Sequence, residues 1–471
     1  AVGEVSTHTY LFPRDIIRQS GSGFPADWGT NKGSAVPAYY RMAPEIAFAP
    51  EYRDSMERSL KVLPSVSLVF APEDLFGTEH GIYKHPEEAG AAWERAASFE
   101  FFSPDQKSNL QVNCGARIQG GWNRRPEESP KHSFRLVFRK KYGPGKLRFA
   151  VFGTNAPAEF DTLILRAGCN NSWLHWSGIE RQRGEYVRDQ WMRDTLREMG
   201  QPSAAGTFVH LYLNGLYWGI YNLTERPDAA FAASHLGGSL SDYDSFNADK
   251  TLSGDRETWT ELMRRVNKGV RTAAEFSSIS ELLDIENFID YMIVNFYGAN
   301  ADWDRHSNWY AARRRGREGK FKFFIWDAER TLEQAGDNTI DFDDDESPPR
   351  IFHRLAESSE FRLLFSKHAQ RHFAESGALN AKAAAERYRN WSEQLDLAIL
   401  AESARWGSYR RNIHQYKEGP YEIYTRDQHW RPEVERLLND YFPRRSAVAL
   451  EQFRMHGFAT ESSPNDLPAA H

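Results

Sequence analysis

The segment 284–308, DIENFIDYMIVNFYGANADWDRHSN, combines a strong helix pattern with a polar loop. Its apolar residues recur at the three- and four-residue spacing that places side chains on one helix face. They are Ile285, Phe288, Ile289, Met292, Ile293 and Phe296. Asp284 is a favoured residue type at a helix N-terminus, and Gly298 is favoured at a C-terminus. The segment therefore predicts an amphipathic helix that ends near Gly298, with Asp302 on the loop that follows.

A second acidic residue, Asp327, directly follows the apolar run Lys320–Trp326, which predicts a strand. Asp302 on a loop, Asn308 shortly after it and Asp327 at a strand end have the layout of a phosphoryl-transfer site. In such a site one Asp accepts a hydroxyl proton, while an Asn and a second Asp hold Mg²⁺. We therefore expect the carboxylates of Asp302 and Asp327 to lie close together. The alternative is that both are ordinary turn residues.

The chain has 471 residues, of which 40% are hydrophobic and 26% are charged. This composition predicts a folded, soluble protein. The net charge of −6 argues against nucleic acid as a partner, because such partners are bound mainly by clustered positive charge. Aromatic residues make up 14% of the chain, including 14 Trp, and this content is typical of extracellular or carbohydrate-facing proteins. We expect a monomer.

The two cysteines, Cys114 and Cys169, form either one disulfide or two buried thiols, and their number does not distinguish these. The Cys and His residues show no zinc spacing, and the His-Glu-x-x-His motif is absent. No apolar run approaches 18 residues, so we expect no transmembrane segment. The chain begins Ala-Val-Gly-Glu, which is consistent with a mature form whose signal peptide has been removed or with an arbitrary boundary.

The patterning along the chain predicts an α+β fold with three parts. Residues 1–60 are rich in Gly and Pro and are predicted to form an extended arm. Residues 61–225 alternate between apolar and polar positions and are predicted to form a β-rich N-terminal lobe. Residues 226–471 are predicted to form a mostly helical C-terminal lobe that carries the catalytic loop and the metal site.

Two local structures are predicted upstream of that second lobe. Two alternating runs within Thr207–Glu225 flank Asn214-Gly215, the dipeptide favoured in tight hairpin turns because both turn positions need positive φ. Residues Tyr186–Met199 have a helical pattern that stops at Gly200. The first half of the chain therefore contains a β-hairpin preceded by a helix.

Several residues of the β-rich part are candidates for nucleotide contacts. Lys131 lies at the head of a predicted strand, where its ammonium would meet a phosphate as a point charge. Gly120 and Gly121 lie in a short glycine-containing segment that would cover the phosphates of a nucleotide. Glu225 ends the hairpin, where the two lobes would join. The alternatives are an exposed strand-edge Lys131 and a capping or solvated Glu225.

The sequence resembles the CotH (spore coat protein H) kinase family at a series of segments that cover roughly residues 65 to 455 in order. The matching segments are PKHSFRLVF (130–138), LILRAGCNNSW (163–173), VRDQWMRDTLREMG (187–200), VHLYLNGLYWGIYNLTE (209–225), NFIDYMIVNFYGANADWD (287–304), NWYAARR (308–314) and FFIWDAERTL (323–332). AESARWGS (401–408) is similar to the bacterial, exported branch of that family.

The resemblance implies an atypical protein-kinase-like fold that transfers the γ-phosphoryl group of ATP to Ser or Thr of a protein acceptor, with Mg²⁺ or Mn²⁺. It implies Asp302 as the catalytic base, Asn308 and Asp327 as metal ligands, and Lys131 as the phosphate-contacting lysine. Asn308 lies one residue further from Asp302 than the family pattern has it. Asp304 therefore remains an alternative base, although the Asn-x-Asp-Trp context favours Asp302.

Two functions from different classes follow. The first is an exported ATP- and Mg²⁺-dependent protein kinase. The second is a secreted surface-binding protein, or a pseudokinase, that uses the same scaffold without catalysis. Glycoside hydrolysis by an acidic pair is a third class, and nothing in the spacing supports it. In the kinase we expect a carboxylate beside Lys131, because a buried and unpaired ammonium costs several kcal/mol.

Overall fold

The structure is a computed structural model that describes residues 6–31, 33–154 and 156–458. Its fold is α+β. The strands are β1 Asp27–Asn31, β2 Ser34–Pro37, β3 Ser65–Phe70, β4 Arg95–Phe102, β5 Asn109–Gln119, β6 Ser133–Val137, β7 Leu147–Arg148, β8 Glu159–Phe160, β9 Thr162–Arg166, β10 Gly206–Leu213, β11 Leu216–Glu225, β12 Tyr243–Asn247, β13 Lys250–Ser253, β14 Trp309–Arg314 and β15 Lys322–Ile325.

Helices alternate with these strands and dominate after residue 255, as predicted. They are α1 Pro13–Ile16, α2 Pro44–Ala47, α3 Arg53–Ser59, α4 Pro72–Phe76, α5 Gly178–Gln182, α6 Arg188–Glu198, α7 Ala229–Leu236, α8 Glu257–Asn267, α9 Ala273–Ser280, α10 Ile285–Gly298, α11 Pro348–Leu355, α12 Ser359–Phe373, α13 Ala381–Asp396, α14 Ala398–Trp406, α15 Tyr409–Asn412, α16 Arg431–Arg436 and α17 Phe442–Met455.

Packing contacts group the described chain into two compact units. Unit 1 contains the chain up to residue 190 together with residues 204–226 and 389–435. Unit 2 contains residues 191–203, residues 227–388 and the chain from residue 436 onward. Residues 204–226 thus fall in unit 1 and residues 227–388 in unit 2, while residues 389–435 return to unit 1.

Unit 1 is built around a closed barrel with the strand order β10-β11-β9-β6-β5-β4-β3. The pairs are antiparallel except β10 with β3, which is parallel. Closure leaves no unpaired edge, and inward-facing apolar side chains fill the interior. These include Val66, Leu68, Phe99, Phe134, Leu136, Leu165, Val209 and Leu211.

The β10–β11 hairpin confirms the predicted turn. Asn214 and Gly215 connect the two strands with φ values of 45° and 84°, the left-handed conformation that such a turn requires. The helix predicted upstream is also present as α6. α6 ends at Glu198, and Gly200 follows with a φ of 92°, a conformation that favours glycine.

The N-terminal segment contains more regular structure than an extended arm. It forms the short helices α1 to α3 and the two-stranded sheet β1–β2, and it belongs to unit 1. Trp28 is fully buried and lies 5.5 Å from Trp218 and 6.0 Å from Trp406, measured between ring centroids. The high Trp content of this chain therefore contributes to the core here, because each ring buries a large apolar area.

Unit 2 combines the antiparallel sheet β13-β12-β14-β15 with helices, of which α10 is buried along most of its length. The Asp284 side chain accepts a hydrogen bond from Asn287 N at 3.0 Å, so the predicted N-terminal cap is confirmed. At the other end Ala299 adopts the left-handed conformation, while Gly298 is still helical. A Cβ on Gly298 would lie 2.7 Å from Met192 Sδ, so glycine is needed there for close packing.

Cys114 and Cys169 are separate buried thiols, which decides between the two alternatives left open by the sequence. Burial raises the pKa of Cys114 far above that of an ordinary thiol. Within the described ranges, no helix is both long enough and apolar enough to cross a membrane.

Candidate active site

Asp302 lies on a loop that is fixed to the end of α10. Ala299 ends the helix with a φ of 48°. Beyond it, Asn300 Oδ1 accepts a hydrogen bond from Asp302 N at 3.2 Å, and Ala301 N donates to the carbonyl of Arg330 at 3.1 Å. The helix end and these two bonds hold the backbone of Asp302 in place, as a positioned catalytic side chain requires.

Asp327 follows β15, and hydrogen bonds fix this part of the chain along α10. Asn287 Oδ1 accepts from Phe323 N at 2.7 Å, which attaches the strand to the first turn of the helix. Further on, Leu332 N donates to the Gly298 carbonyl at 2.9 Å. The segment that carries Asp327 is thus held next to the loop that carries Asp302.

The carboxylates of Asp302 and Asp327 interact electrostatically. The pKa of Asp302 is raised, first by partial burial and then by the negative charge of Asp327, while Arg330 opposes the shift. Both side chains are half-buried. A carboxylate whose ionised form is disfavoured by a second carboxylate would be stabilised by a bound cation.

Asn308 completes this group through its side chain. Its Nδ2 donates to the Asp302 carbonyl, which leaves the amide oxygen, the atom that binds hard cations, outside that bond. Asn308 has a φ of 69° and Asp327 a φ of 56°, so both are held in the left-handed region. Backbone held in this sparsely populated region is frequent at functional sites, where the surrounding structure maintains it.

Asp304, the alternative base, makes a different set of contacts. It is exposed, and its Oδ1 accepts from His306 N at 2.7 Å and from Ser307 Oγ at 3.1 Å. Its carbonyl accepts from Trp309 Nε1 at 2.7 Å. Asp304 thus closes a turn between Asp302 and Asn308.

Lys131 is buried in unit 1 just before β6, with 1% of its side chain exposed. Its Nζ donates to Glu402 Oε1 at 2.6 Å and to the Ile220 carbonyl at 2.7 Å. Burial lowers the pKa of Lys131, and the charge of Glu402 opposes this change. The alternative of an exposed strand-edge lysine is therefore wrong, and the expected acidic partner is Glu402.

Glu402 lies on α14 and was not among the residues predicted from sequence. Its Oε2 accepts from Ile220 N at 2.6 Å, so the carboxylate binds both a β11 amide and the Lys131 ammonium. Gly219 makes room for it, because a Cβ there would lie 2.5 Å from Glu402 Oε2. The segment 401–408 was visible as a motif, but its acidic residue could be connected to Lys131 only through the fold.

The other nucleotide candidates make local structural contacts. Gly120 has a φ of 132°, and a Cβ there would overlap the Asn123 side chain, while Gly121 has open space. Glu225 is buried at the end of β11, and its Oε2 accepts from Ala205 N at 2.9 Å. In this structure Gly120 and Gly121 therefore form part of a turn, and Glu225 binds the backbone at the end of a strand.

An Asp, an Asn and a second Asp on adjoining segments of an α+β protein are the parts expected of a phosphotransferase. A family model described as CotH kinase protein matches residues 116–448. The chain therefore belongs to the CotH kinase family, as the sequence resemblance predicted. A comparison with curated proteins gave no match. The matched region includes Asp302, Asn308 and Asp327 as well as Lys131 and Glu402.

Proposed function

We propose that this protein is an ATP- and Mg²⁺-dependent protein kinase that phosphorylates Ser or Thr of a protein acceptor. The observation that supports it most is the group formed by Asp302, Asn308 and Asp327 in unit 2. We assign Asp302 as the base and the other two residues as metal ligands. The donor set fits Mg²⁺, because it consists of carboxylate and amide oxygens and because the charge of Asp327 raises the pKa of Asp302.

In the proposed reaction the acceptor hydroxyl gives its proton to the Asp302 carboxylate as its oxygen bonds to the γ-phosphorus. The bond between that phosphorus and the β-phosphate oxygen breaks, and ADP leaves with the electron pair. The raised pKa makes Asp302 a better proton acceptor than an exposed carboxylate. Bound Mg²⁺ would neutralise charge on the phosphate oxygens.

The Lys131–Glu402 pair of unit 1 supports the same proposal. Protein kinases use a Lys–Glu ion pair in which the lysine contacts ATP phosphates. We propose this role for Lys131, with Glu402 as the residue that positions it. In this proposal unit 1 corresponds to the N-terminal lobe of a kinase-like fold and unit 2 to the C-terminal lobe, and Gly120, Gly121 and Glu225 remain proposed nucleotide contacts. An exported location is proposed from the family resemblance.

A second candidate is a pseudokinase, including a surface-binding protein on this scaffold. The observation that favours it is the burial of Lys131, whose ammonium donates to Glu402 Oε1 and to the Ile220 carbonyl within the protein. In such a protein the ion pair would serve stability, and the acidic group of unit 2 would bind no nucleotide.

The decisive experiment incubates the pure protein with γ-labelled ATP and either Mg²⁺ or Mn²⁺, with and without a mixture of basic and acidic model proteins. The proposal predicts metal-dependent labelling of the protein itself or of an acceptor. Asp302→Asn should abolish labelling, and Asp304→Asn should retain it. If neither labelling nor metal-dependent ATP binding occurs, catalysis is excluded and the pseudokinase function stands.

A further inference from the structure

A second polar cluster in unit 2 lies between α10 and α12. His368 and His372 are four residues apart on α12, so they share one face of that helix. Both face Asp290 on α10. His368 Nδ1 lies 2.7 Å and His372 Nε2 lies 2.8 Å from the same atom, Asp290 Oδ1. All three residues are buried, and Asp290 is completely so.

The cluster has the donor atoms of a transition-metal site. One ligand atom from each residue lies within 4.8 Å of the other two, giving two imidazole nitrogens and one carboxylate oxygen. This combination suits Zn²⁺ and related divalent ions, which accept three protein ligands and keep one position for water. Gln201 Nε2 donates to Asp290 Oδ2 at 2.7 Å, which orients the carboxylate and leaves Oδ1 towards the imidazoles.

A positive group already occupies this position. Arg371 Nη2 lies 3.0 Å from His372 Nε2, 3.4 Å from His368 Nδ1 and 3.3 Å from Asp290 Oδ2. A single ring nitrogen cannot both donate to Asp290 and accept from Arg371, so these hydrogen bonds compete. The Arg371 side chain is 57% exposed, so it can turn into solvent at little cost.

We propose that Asp290, His368 and His372 form a binding site for a divalent transition-metal ion such as Zn²⁺, which takes the place of the Arg371 guanidinium. The two imidazole nitrogens now lie at hydrogen-bonding distance from Asp290 Oδ1. On metal binding each would move to about 3.3 Å from that oxygen, the spacing between ligand atoms around a tetrahedral ion. Both imidazoles would then present lone pairs to the ion, which removes the competition between Asp290 and Arg371.

This site is separate from the proposed catalytic group. Asp290 precedes the end of α10 by roughly 12 Å along the helix axis, and Asp302 follows that end. A metal here would link α12 to α10, the helix whose end carries the Asp302 loop. The inference therefore stands whether or not the protein is a kinase.

The test measures metal binding by equilibrium dialysis against buffered Zn²⁺ and by elemental analysis of the protein. It uses the full chain with Asp327→Asn, so that the proposed Mg²⁺ site does not contribute. One Zn²⁺ per chain is expected. His368→Gln and His372→Gln should each weaken binding at least about tenfold, since a lost ligand costs at least as much as a lost partner of a ligand. His456→Gln, which alters another His–Asp pair of unit 2, is the matched control and should bind normally.

Arg371→Ala separates a metal site from a simple ion-pair network. Removal of the competing cation should tighten Zn²⁺ binding about tenfold or more. In an ion-pair network the same variant would bind no metal and would only lose stability. Because Arg371 is exposed, this variant should fold even if the histidine variants do not. Co²⁺ added to it should give the intense visible absorption of a four-coordinate site.

Two results would overturn the inference. One is the absence of stoichiometric Zn²⁺ both in the chain that carries Asp327→Asn alone, which is the parent chain of this test, and in the Arg371→Ala variant. The other is equal Zn²⁺ affinity in the parent chain and in folded His368→Gln or His372→Gln protein, which would place the ion elsewhere.

Discussion

The Lys131–Glu402 pair of unit 1 and the Asp302–Asn308–Asp327 group of unit 2 place charge in opposite ways. Lys131 immediately precedes β6 and Glu402 lies on α14, and the pair is fully buried with its opposite charges in direct contact. The acidic group lies on loops, is half-buried and brings like charges together. The charges of Lys131 and Glu402 thus balance each other within the protein. The acidic group would instead be stabilised by a bound cation.

This difference indicates where stability and where ligand binding reside. Breaking a buried pair leaves one uncompensated charge and destabilises the fold. Replacing Asp302, whose charge is disfavoured in the folded state, costs the fold little and takes away a carboxylate of the proposed site. The following variants test this contrast, from the largest expected effect to the smallest.

Glu402→Gln should lower the free energy of unfolding by about 3–5 kcal/mol, because Lys131 would remain buried without its counter-charge. Urea denaturation followed by circular dichroism measures this change. Glu45→Gln, which breaks the exposed pair with Arg411, should cost at most about 1 kcal/mol. Adding Lys131→Met to Glu402→Gln should recover part of the loss. A loss as small as that of Glu45→Gln would contradict a structural role for the pair.

Asp327→Asn should remove the stabilisation that ATP and Mg²⁺ give together. In the parent protein this gain is about 2.7 kcal/mol at a hundredfold excess of ligand over Kd, since only the folded state binds. Thermal unfolding with and without ATP and Mg²⁺ measures it. Asp304→Asn should keep the gain, because the Asp304 side chain is exposed and accepts its hydrogen bonds within its own turn. If both variants keep the gain, Asp327 is not a metal ligand.

Gly219→Ala should destabilise the protein by about 2 kcal/mol more than Gly215→Ala, because only the first adds an overpacking cost. Both glycines have positive φ, so both substitutions carry backbone strain. At Gly215 the new Cβ meets open space, whereas at Gly219 it lies against Glu402 Oε2. Urea denaturation of the two variants gives the difference. Equal losses would mean that Glu402 moves aside freely.

Asp302→Asn should stabilise the metal-free protein slightly at neutral pH. A carboxyl with a raised pKa in the folded state favours folding below its unfolded pKa of about 3.9 and loses that contribution as pH rises through the folded value. The gain from the substitution should therefore be present at neutral pH and disappear in acid. Urea denaturation of both proteins across this pH range measures it, and a gain that grows in acid would contradict the raised pKa.

Local sequence patterns predicted much of the fold. The periodicity and cap of α10, the Asn214-Gly215 turn and the strand before Asp327 were all predicted from neighbouring residues. The predicted end of the helix at Gly298 is confirmed, but the left-handed conformation falls on Ala299, and a Cβ on Gly298 would lie close to Met192. The need for glycine at position 298 depends on contact with Met192, a residue that is distant in sequence.

The cluster of Asp290, His368 and His372 was not predicted from the sequence. His368 and His372 have a spacing that places them on one helix face, but this spacing alone did not indicate a site. The third residue, Asp290, lies on a different helix. A cluster contributed by two helices is recognisable only when their packing is known.

The sequence by itself determined the helices, the hairpin and the candidate acidic loop, because these depend on the periodicity and backbone preferences of adjacent residues. The family resemblance added the assignment of Asp302, Asn308, Asp327 and Lys131. Only the tertiary structure decided that Lys131 is buried against Glu402 and that residues 389–435 belong to unit 1. The reason is physical. Burial and charge pairing depend on which distant segments fill the same space, and local sequence preferences do not contain that information.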